Sequence, residues 1–330
     1  MKFFLTKLFL FFLIPFPILM FLECGIYLSQ NNFFSENKME NIYDGIGNDY
    51  KWIGNVSGAK SLLLGSSTVR YGIGAKQLTE SSNDGITYLN LAMDARDPIQ
   101  TYFLLKEIDL SDVKTVYFGL DPWIYTKAYY KYRDPYLSLD ISFINAIEYN
   151  LEHDRRFFFK RYKAFFNYFI PFKILERKKN FTTPPNYGSV KLERKPLNFN
   201  EPICDMFQIE KYGWSQLQFK YLVKMADLCK KNKIEFNVFL PPKRSDYSAT
   251  YRNECYLIHQ QFKNNLSKLN FEEPIFGKYD NLDSLGDKEL FAESYHLNAR
   301  GQNIYTKLFL KMIKRDKEIF SNEYKWFSED

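Results

Sequence analysis

The chain has 330 residues, 45% of them apolar, 25% charged and 18% aromatic, with 15 Gly, 13 Pro and 4 Cys. This composition excludes a disordered chain, a collagen and a disulfide miniprotein, and a mean hydropathy of -0.39 excludes a polytopic membrane protein. The formal net charge of +6 is spread among many Lys, Tyr, Phe and Asn residues instead of one block, so nothing in it calls for nucleic acid.

The first element in chain order is Leu8 to Leu28, LFLFFLIPFPILMFLECGIYL. It matches the roughly 20 apolar residues that a helix needs to cross hydrocarbon at about 1.5 Å per residue. Lys2 and Lys7 give it a basic start, and no small-x-small site closes it, so an uncleaved anchor is expected instead of a signal peptide. Phe21 and Glu23 are too large and too acidic to lead Cys24 into lipidation. The positive-inside bias of Lys2 and Lys7 then puts the N-terminus in the cytoplasm and the remainder of the chain outside it, a single-pass arrangement. The expected organisation is an anchor over residues 1–29, a connector over 30–58 and a domain over 59–330.

Within that domain, Ala59 to Leu64 is a short apolar run that stops at Gly65, as a buried parallel strand does. A turn and a helix start follow. Ile86 to Leu91 predicts a second strand, Pro98 to Ile108 a helix, and Val113 to Leu120 a third strand that ends at Asp121-Pro122. Gln216 to Lys231 predicts a helix, Ile234 to Leu240 a strand cut off by Pro241-Pro242, and Gln302 to Lys314 a closing helix. Strands alternating with helices predict an α/β fold, with a mainly parallel sheet covered on both faces as a three-layer sandwich. Active groups in such a fold gather at the carboxyl ends of the strands.

From about residue 125 to 202 the pattern changes to a Tyr-, Phe-, Lys- and Arg-rich insertion. Arg155, Arg156, Lys160, Arg161, Lys163, Lys173, Arg177, Lys178 and Lys179 interleave there with Phe157, Phe158, Phe159, Phe165, Phe166, Phe169 and Phe172. Such a mixture suits an amphipathic helix at an anionic membrane surface. The commoner reading, favoured here, has the aromatics packed on the domain and the basic face solvated. Cys204, Cys229 and Cys255 have no metal-ligand spacing, and the pairing of these three is left open. With His153, His259 and His296 as the whole histidine complement, no zinc cluster of ordinary spacing can be drawn, so neither metal nor cofactor is expected.

Two segments carry chemistry. In Leu62 to Gly72, LLLGSSTVRYG, a buried strand feeds a tight turn that holds Ser67 just ahead of a helix, where a hydroxyl can serve as a nucleophile. The plainer reading of Ser66 or Ser67 is a helix N-cap. Near the C-terminus stands Phe291 to Gly301, FAESYHLNARG. An imidazole at His296 can take the serine proton near neutral pH, and a carboxylate on its other nitrogen fixes the tautomer. Glu293, three residues earlier, can reach back from the same loop. Asp283 and Asp287 are more distant competitors.

Together these segments resemble the SGNH, or GDSL-like, hydrolase superfamily, whose blocks occur here in the same chain order. Gly65-Ser66-Ser67 resembles the first block, with Ser67 at the nucleophile. Asn90-Leu91-Ala92-Met93-Asp94-Ala95 resembles the second, with Ala95 where a glycine N–H usually serves the oxyanion hole. Gly119-Leu120-Asp121-Pro122 resembles the third, with Asp121 in place of the oxyanion-hole asparagine. An ionised carboxylate repels an oxyanion, so Asp121 is expected to be protonated, to point elsewhere, or to mark weakened catalysis. Glu293-Ser294-Tyr295-His296 resembles the last block, Asp-x-x-His, with Glu for Asp. The resemblance implies Ser67, Glu293 and His296 as catalytic residues and Ala95, Asp121, Asn90 and Arg70 as oxyanion or substrate-binding residues.

Asp121, Arg70-Tyr71, Leu240-Pro241-Pro242 and the anchor are similar to one branch of that superfamily, the envelope proteins of teichoic-acid D-alanylation and of alginate or peptidoglycan O-acetylation. The resemblance implies a membrane-anchored serine acyl esterase or O-acyltransferase acting on an envelope glycan through an acyl-Ser67 intermediate. Its implied partners are the glycan or an acyl donor and a polytopic membrane acyltransferase. The alternative is a subunit of weakened catalysis that binds glycan or helps to assemble an acylation complex.

Overall fold

The computed structural model describes residues 18, 20–24, 48–94, 96–125, 145–147, 158, 161–162, 183–184, 186–193, 215–239, 241–242, 288–292 and 296–314. The chain forms two compact units, one of residues 1–49 and 130–180 and the other of 50–129 and 181–330. The greater part of the basic aromatic insertion thus belongs to the same unit as the N-terminal segment.

The second unit is an α/β fold around a four-stranded parallel sheet in the order β2-β1-β3-β4. The strands are β1, Lys60–Leu64, β2, Thr87–Asn90, β3, Val113–Gly119, and β4, Glu235–Phe239. Helices α1, Ser67–Gly72, and α2, Ala75–Ser82, lead from β1 to β2. Helix α3, Pro98–Glu107, leads to β3; α4, Gln216–Lys231, precedes β4; and α5, Ala299–Ile313, closes the unit. The register sets Leu63 between Asn90 and Tyr117, and Gly119 beside Phe239, so the carboxyl ends of all four strands line up along one edge.

Side chains alternate between the two faces of a strand, and both faces are apolar here. Leu63, Tyr88, Tyr117 and Phe239 join Val69, Leu78, Tyr305, Phe309 and Met312 in one core, which α2 and α5 cover. Phe309 sits in its middle, with ring centroids 4.8 Å from Phe239 and 5.5 Å from Tyr117. On the opposite face Leu62, Leu64, Leu89, Val116 and Phe118 are buried. Right-handed crossovers require this division of helices. The step from β1 out to β2 runs one way across the sheet, and the steps to β3 and β4 run the other way, so α3 and α4 fall on the second face and pack together through Phe103 and Tyr221. The reversal lies between β1 and β3, and the crevice above such a switch point is where α/β folds place their sites.

The expected strands and the helices beginning at Pro98 and Gln216 form within one residue of their expected bounds at each end. The closing helix begins three residues earlier than the apolar pattern indicates, because the Asn298 side chain caps it by accepting from the Gly301 N–H at 3.0 Å. Helix α2 is an addition that its short, polar sequence did not announce. Among the described residues no helix is long and apolar enough to cross a membrane. Of the expected anchor, only residues 18 and 20–24 are among them.

Candidate functional site

The turn after β1 is built around missing side chains. Gly65 adopts φ +140°, and a Cβ there would meet Val69 Cγ2 at 2.7 Å. A Cβ on Gly119, at the end of β3, would lie 2.1 Å from the same methyl and 3.2 Å from Phe239. The two glycines therefore clear the space in which Val69 seats α1 on the ends of β1 and β3, directly over the switch point. Ser66 is the N-cap, its oxygen accepting from the Thr68 N–H, and Ser67 is the first helical residue. The cap is thus made by Ser66, and the Ser67 hydroxyl is not used for it.

Opposite Ser67 comes His296, from a loop 229 residues further along the chain. Its Nε2 lies 2.6 Å from Ser67 Oγ. That loop is pinned on each side: Phe291 and Leu297 form an antiparallel bridge, and the Ala292 N–H donates to the His296 carbonyl at 2.8 Å. Asn298 Nδ2 donates to the Glu289 carbonyl at 2.7 Å, and Gly301 brings α5 against Leu290, where a Cβ would stand 2.2 Å from the carbonyl oxygen. The Tyr71 ring meets the imidazole edge-on at a centroid distance of 4.9 Å. A histidine so held keeps its nitrogen on the serine without a search over rotamers, the first requirement of a general base.

Asp121, at the end of β3, is buried and turns its carboxylate into the nucleophile turn. Oδ2 accepts from the Thr68 hydroxyl at 2.7 Å and from the Ser66 hydroxyl. Of the three outcomes open to this carboxylate in the sequence, the geometry is that of a group pointing elsewhere. It acts as the acceptor that fixes the turn, a role that neither Ser66 nor Thr68 disclosed. Both hydroxyl contacts use Oδ2, which is therefore taken up within the turn.

Asn90 is also committed to structure. Its Nδ2 donates to the Val69 and Ile73 carbonyls at 3.0 and 3.1 Å, and its Oδ1 accepts from the Ala92 N–H at 3.1 Å. With both amide protons on the carbonyls of Val69 in α1 and Ile73 just after it, Asn90 ties β2 to that helix. Beyond it, the Leu91 and Met93 N–H groups donate to Leu63 and Gly65, and the Arg96 N–H closes a turn on the Met93 carbonyl at 3.1 Å. Arg96 is itself buried, with Nη1 2.9 Å from the Leu91 carbonyl. Ala95 and Glu293 lie outside the described residues.

Arg70 stands at the rim. Its Nη1 is 3.4 Å from Asp94 Oδ2, and its guanidinium lies 5.7 Å from the Tyr71 ring centroid. The Tyr71 hydroxyl also donates to Asp94, at 3.1 Å. Arg70, Tyr71 and Asp94 thus form a polar ledge next to His296. Asp97 caps α3 and accepts from the Gln100 N–H at 2.8 Å. Burial pushes its carboxyl up to about 6, against the lowering effect of that hydrogen bond. The neighbouring Tyr125 hydroxyl is pushed well above its ordinary range, first by burial and then by the charges of Asp121 and Asp97.

Sequence reasoning passed over the residues that join the serine half to the histidine half. Gln302 Nε2 donates to the Tyr71 and Val190 carbonyls at 2.9 and 2.8 Å. Thr306 Oγ1 accepts from the Gly74 N–H at 2.8 Å, and Ser189 Oγ bridges the Ile73 carbonyl and the Ala75 N–H. The available signal was Gln302 and Thr306 falling on the same helical face as Tyr305, Phe309 and Met312, since a polar residue inside an apolar stripe needs a partner.

No protein-family model matches the chain, and no curated protein matches it either.

Proposed function

We propose that this protein is a membrane-anchored serine acyl esterase or O-acyltransferase of SGNH-hydrolase type, acting on an envelope glycan. The observation that carries the reading is the 2.6 Å contact between Ser67 Oγ and His296 Nε2, made by two blocks at opposite ends of the domain and held together by Gln302 and Thr306. Ser67 Oγ attacks the acyl carbonyl while its proton passes to His296 Nε2, and the imidazolium returns that proton to the departing alcohol or other leaving group. In the second half the acceptor hydroxyl, of a sugar or of water, gives its proton to His296 and takes the acyl group from Ser67, and the imidazolium returns that proton to the departing Ser67 Oγ. The backbone N–H groups of Ser67 and Ala95 hold the oxyanion, each such donor being worth about 10²- to 10³-fold in rate. Glu293 holds the imidazole at Nδ1.

The alternative, a non-catalytic glycan-binding or assembly subunit, drew its main support from Asp121 standing in an oxyanion position. A carboxylate whose Oδ2 takes up the Ser66 and Thr68 hydroxyls has a bracing role of its own in the turn, so its presence does not by itself favour a decayed site. The test is hydrolysis of an activated acetyl ester by the detergent-solubilised chain. Turnover abolished in Ser67→Ala supports the reading, and equal turnover in the two proteins overturns it.

A further inference from the structure

The unit of residues 1–49 and 130–180 holds a charge cluster that the proposed chemistry does not use. Arg161 is 1% exposed, and its guanidinium grips Glu23 with two bonds, Nε to Oε1 at 3.0 Å and Nη2 to Oε2 at 2.7 Å. The Tyr162 hydroxyl donates to Glu23 Oε1 at 3.1 Å, and the Phe158 ring stacks on Tyr162 at 6.0 Å and 18°. Glu23 belongs to the apolar run Leu8 to Leu28, and Arg161 to the insertion.

Residues 20–24 are helical. In a spanning helix over Leu8 to Leu28, at about 1.5 Å per residue, Glu23 would stand ~7.5 Å inside the end of the apolar run. An isolated glutamate is costly at that depth, and a guanidinium stays charged wherever it goes. A bidentate pair with a third donor removes the objection to both, provided that the insertion itself comes down to Glu23. Interfacial helices lie about 5–10 Å into the headgroup and acyl boundary, the same depth. The cluster is bordered by exposed apolar side chains, Ile18 at 56%, Met20 at 57% and Phe21 at 77%, while Leu22 is buried. Chain connectivity at about 3.6 Å per residue keeps Arg155, Arg156, Lys160 and Lys163 within roughly 22 Å of Arg161, a reach that includes the phosphate layer.

From this we infer that the segment of Phe158, Arg161 and Tyr162 docks on the anchor at the outer hydrocarbon boundary through Glu23. The two elements present one continuous surface to the lipid of the outer leaflet. Acyl chains cover Ile18, Met20, Phe21 and Phe158, and the phosphates of anionic headgroups meet the neighbouring cations. The aromatic side chains of this segment then meet lipid at that boundary. The inference rests on the anchored reading of the N-terminus.

The full-length protein is reconstituted in phosphatidylcholine vesicles containing phosphatidylglycerol and a phospholipid with a photoreactive acyl chain, and the cross-linked peptides are identified by mass spectrometry. The expected result is lipid adducts both on residues 18–24 and on residues 157–162. Breaking a buried pair leaves the other charge uncompensated, so Glu23→Gln and Arg161→Gln should each reduce the adducts on 157–162 by more than ~10-fold while those on 18–24 persist. Adducts on 18–24 but none on 157–162 in the wild-type protein would overturn the inference and leave the anchor intact. Adducts on neither would overturn both. The wild-type measurement decides by itself should either variant fail to fold.

Discussion

Replacing Asp121 with Ala removes the acceptor of two hydroxyls in a place where water does not reach. Asp121 is 1% exposed, Ser66 3% and Thr68 5%. A hydrogen bond to a charged group contributes about 1.5–3 kcal/mol, and a buried donor left without an acceptor costs about 1–3 kcal/mol. The Ser66 and Thr68 oxygens stand 3.2 Å apart and can recover one bond between themselves. The net loss is therefore about 2–4 kcal/mol. At about 3 °C per kcal/mol for a domain of this size, the Tm falls by about 6–12 °C. Asp121→Asn separates this account from an oxyanion role. An amide can accept from the two hydroxyls only through its oxygen and turns its NH2 toward donors, so stability drops by a smaller amount and turnover falls. Were the position an oxyanion site, the asparagine would supply the missing donor and turnover would rise. Thermal unfolding and ester hydrolysis on the same preparations give both numbers. A Tm in Asp121→Ala within 1 °C of wild type, or a faster Asp121→Asn enzyme, would refute the reasoning.

Asp97, with its carboxyl raised to about 6, holds its proton more tightly folded than unfolded. Its contribution to stability is therefore full below about pH 4 and is lost as pH rises through 6, so the unfolding free energy of Asp97→Asn should gain about 2 kcal/mol on wild type between pH 4 and pH 7 in denaturant titrations. A difference independent of pH would show that Asp97 titrates normally. Gly119→Ala places a methyl 2.1 Å from Val69 Cγ2. It should cost about 1–3 kcal/mol and slow turnover out of proportion to stability, because α1 must shift, as kcat measured below the Tm will show. Gln302→Ala leaves the Tyr71 and Val190 carbonyls without their donor and should cost about 1–3 kcal/mol by chemical denaturation.

The parallel sheet was legible because β1 and β3 are apolar runs ended by Gly65 and by Asp121-Pro122, and because buried parallel strands need no alternation to be recognised. The meeting of Ser67 and His296 was legible as chemistry, from the residue types and their block order. Its geometry was not, since contact across 229 residues depends on how α5 packs against α1 and α2. The orientation of Asp121 was hidden for a related reason. Sequence gives its place after β3, but the hydroxyls that capture it belong to the turn after β1. The tie that Asn90 makes was hidden too, because its position at the end of β2 does not announce the Val69 and Ile73 carbonyls that it meets.

Covalent labelling of the full-length chain by a fluorophosphonate tests the central claim most directly, because the probe reports an activated serine without requiring the natural acyl group or acceptor. The account predicts one adduct on the peptide that carries Ser67, absent in Ser67→Ala and at least ~100-fold slower in His296→Ala. Well-folded wild-type protein that stays unlabelled, or an adduct that persists in Ser67→Ala, would contradict it.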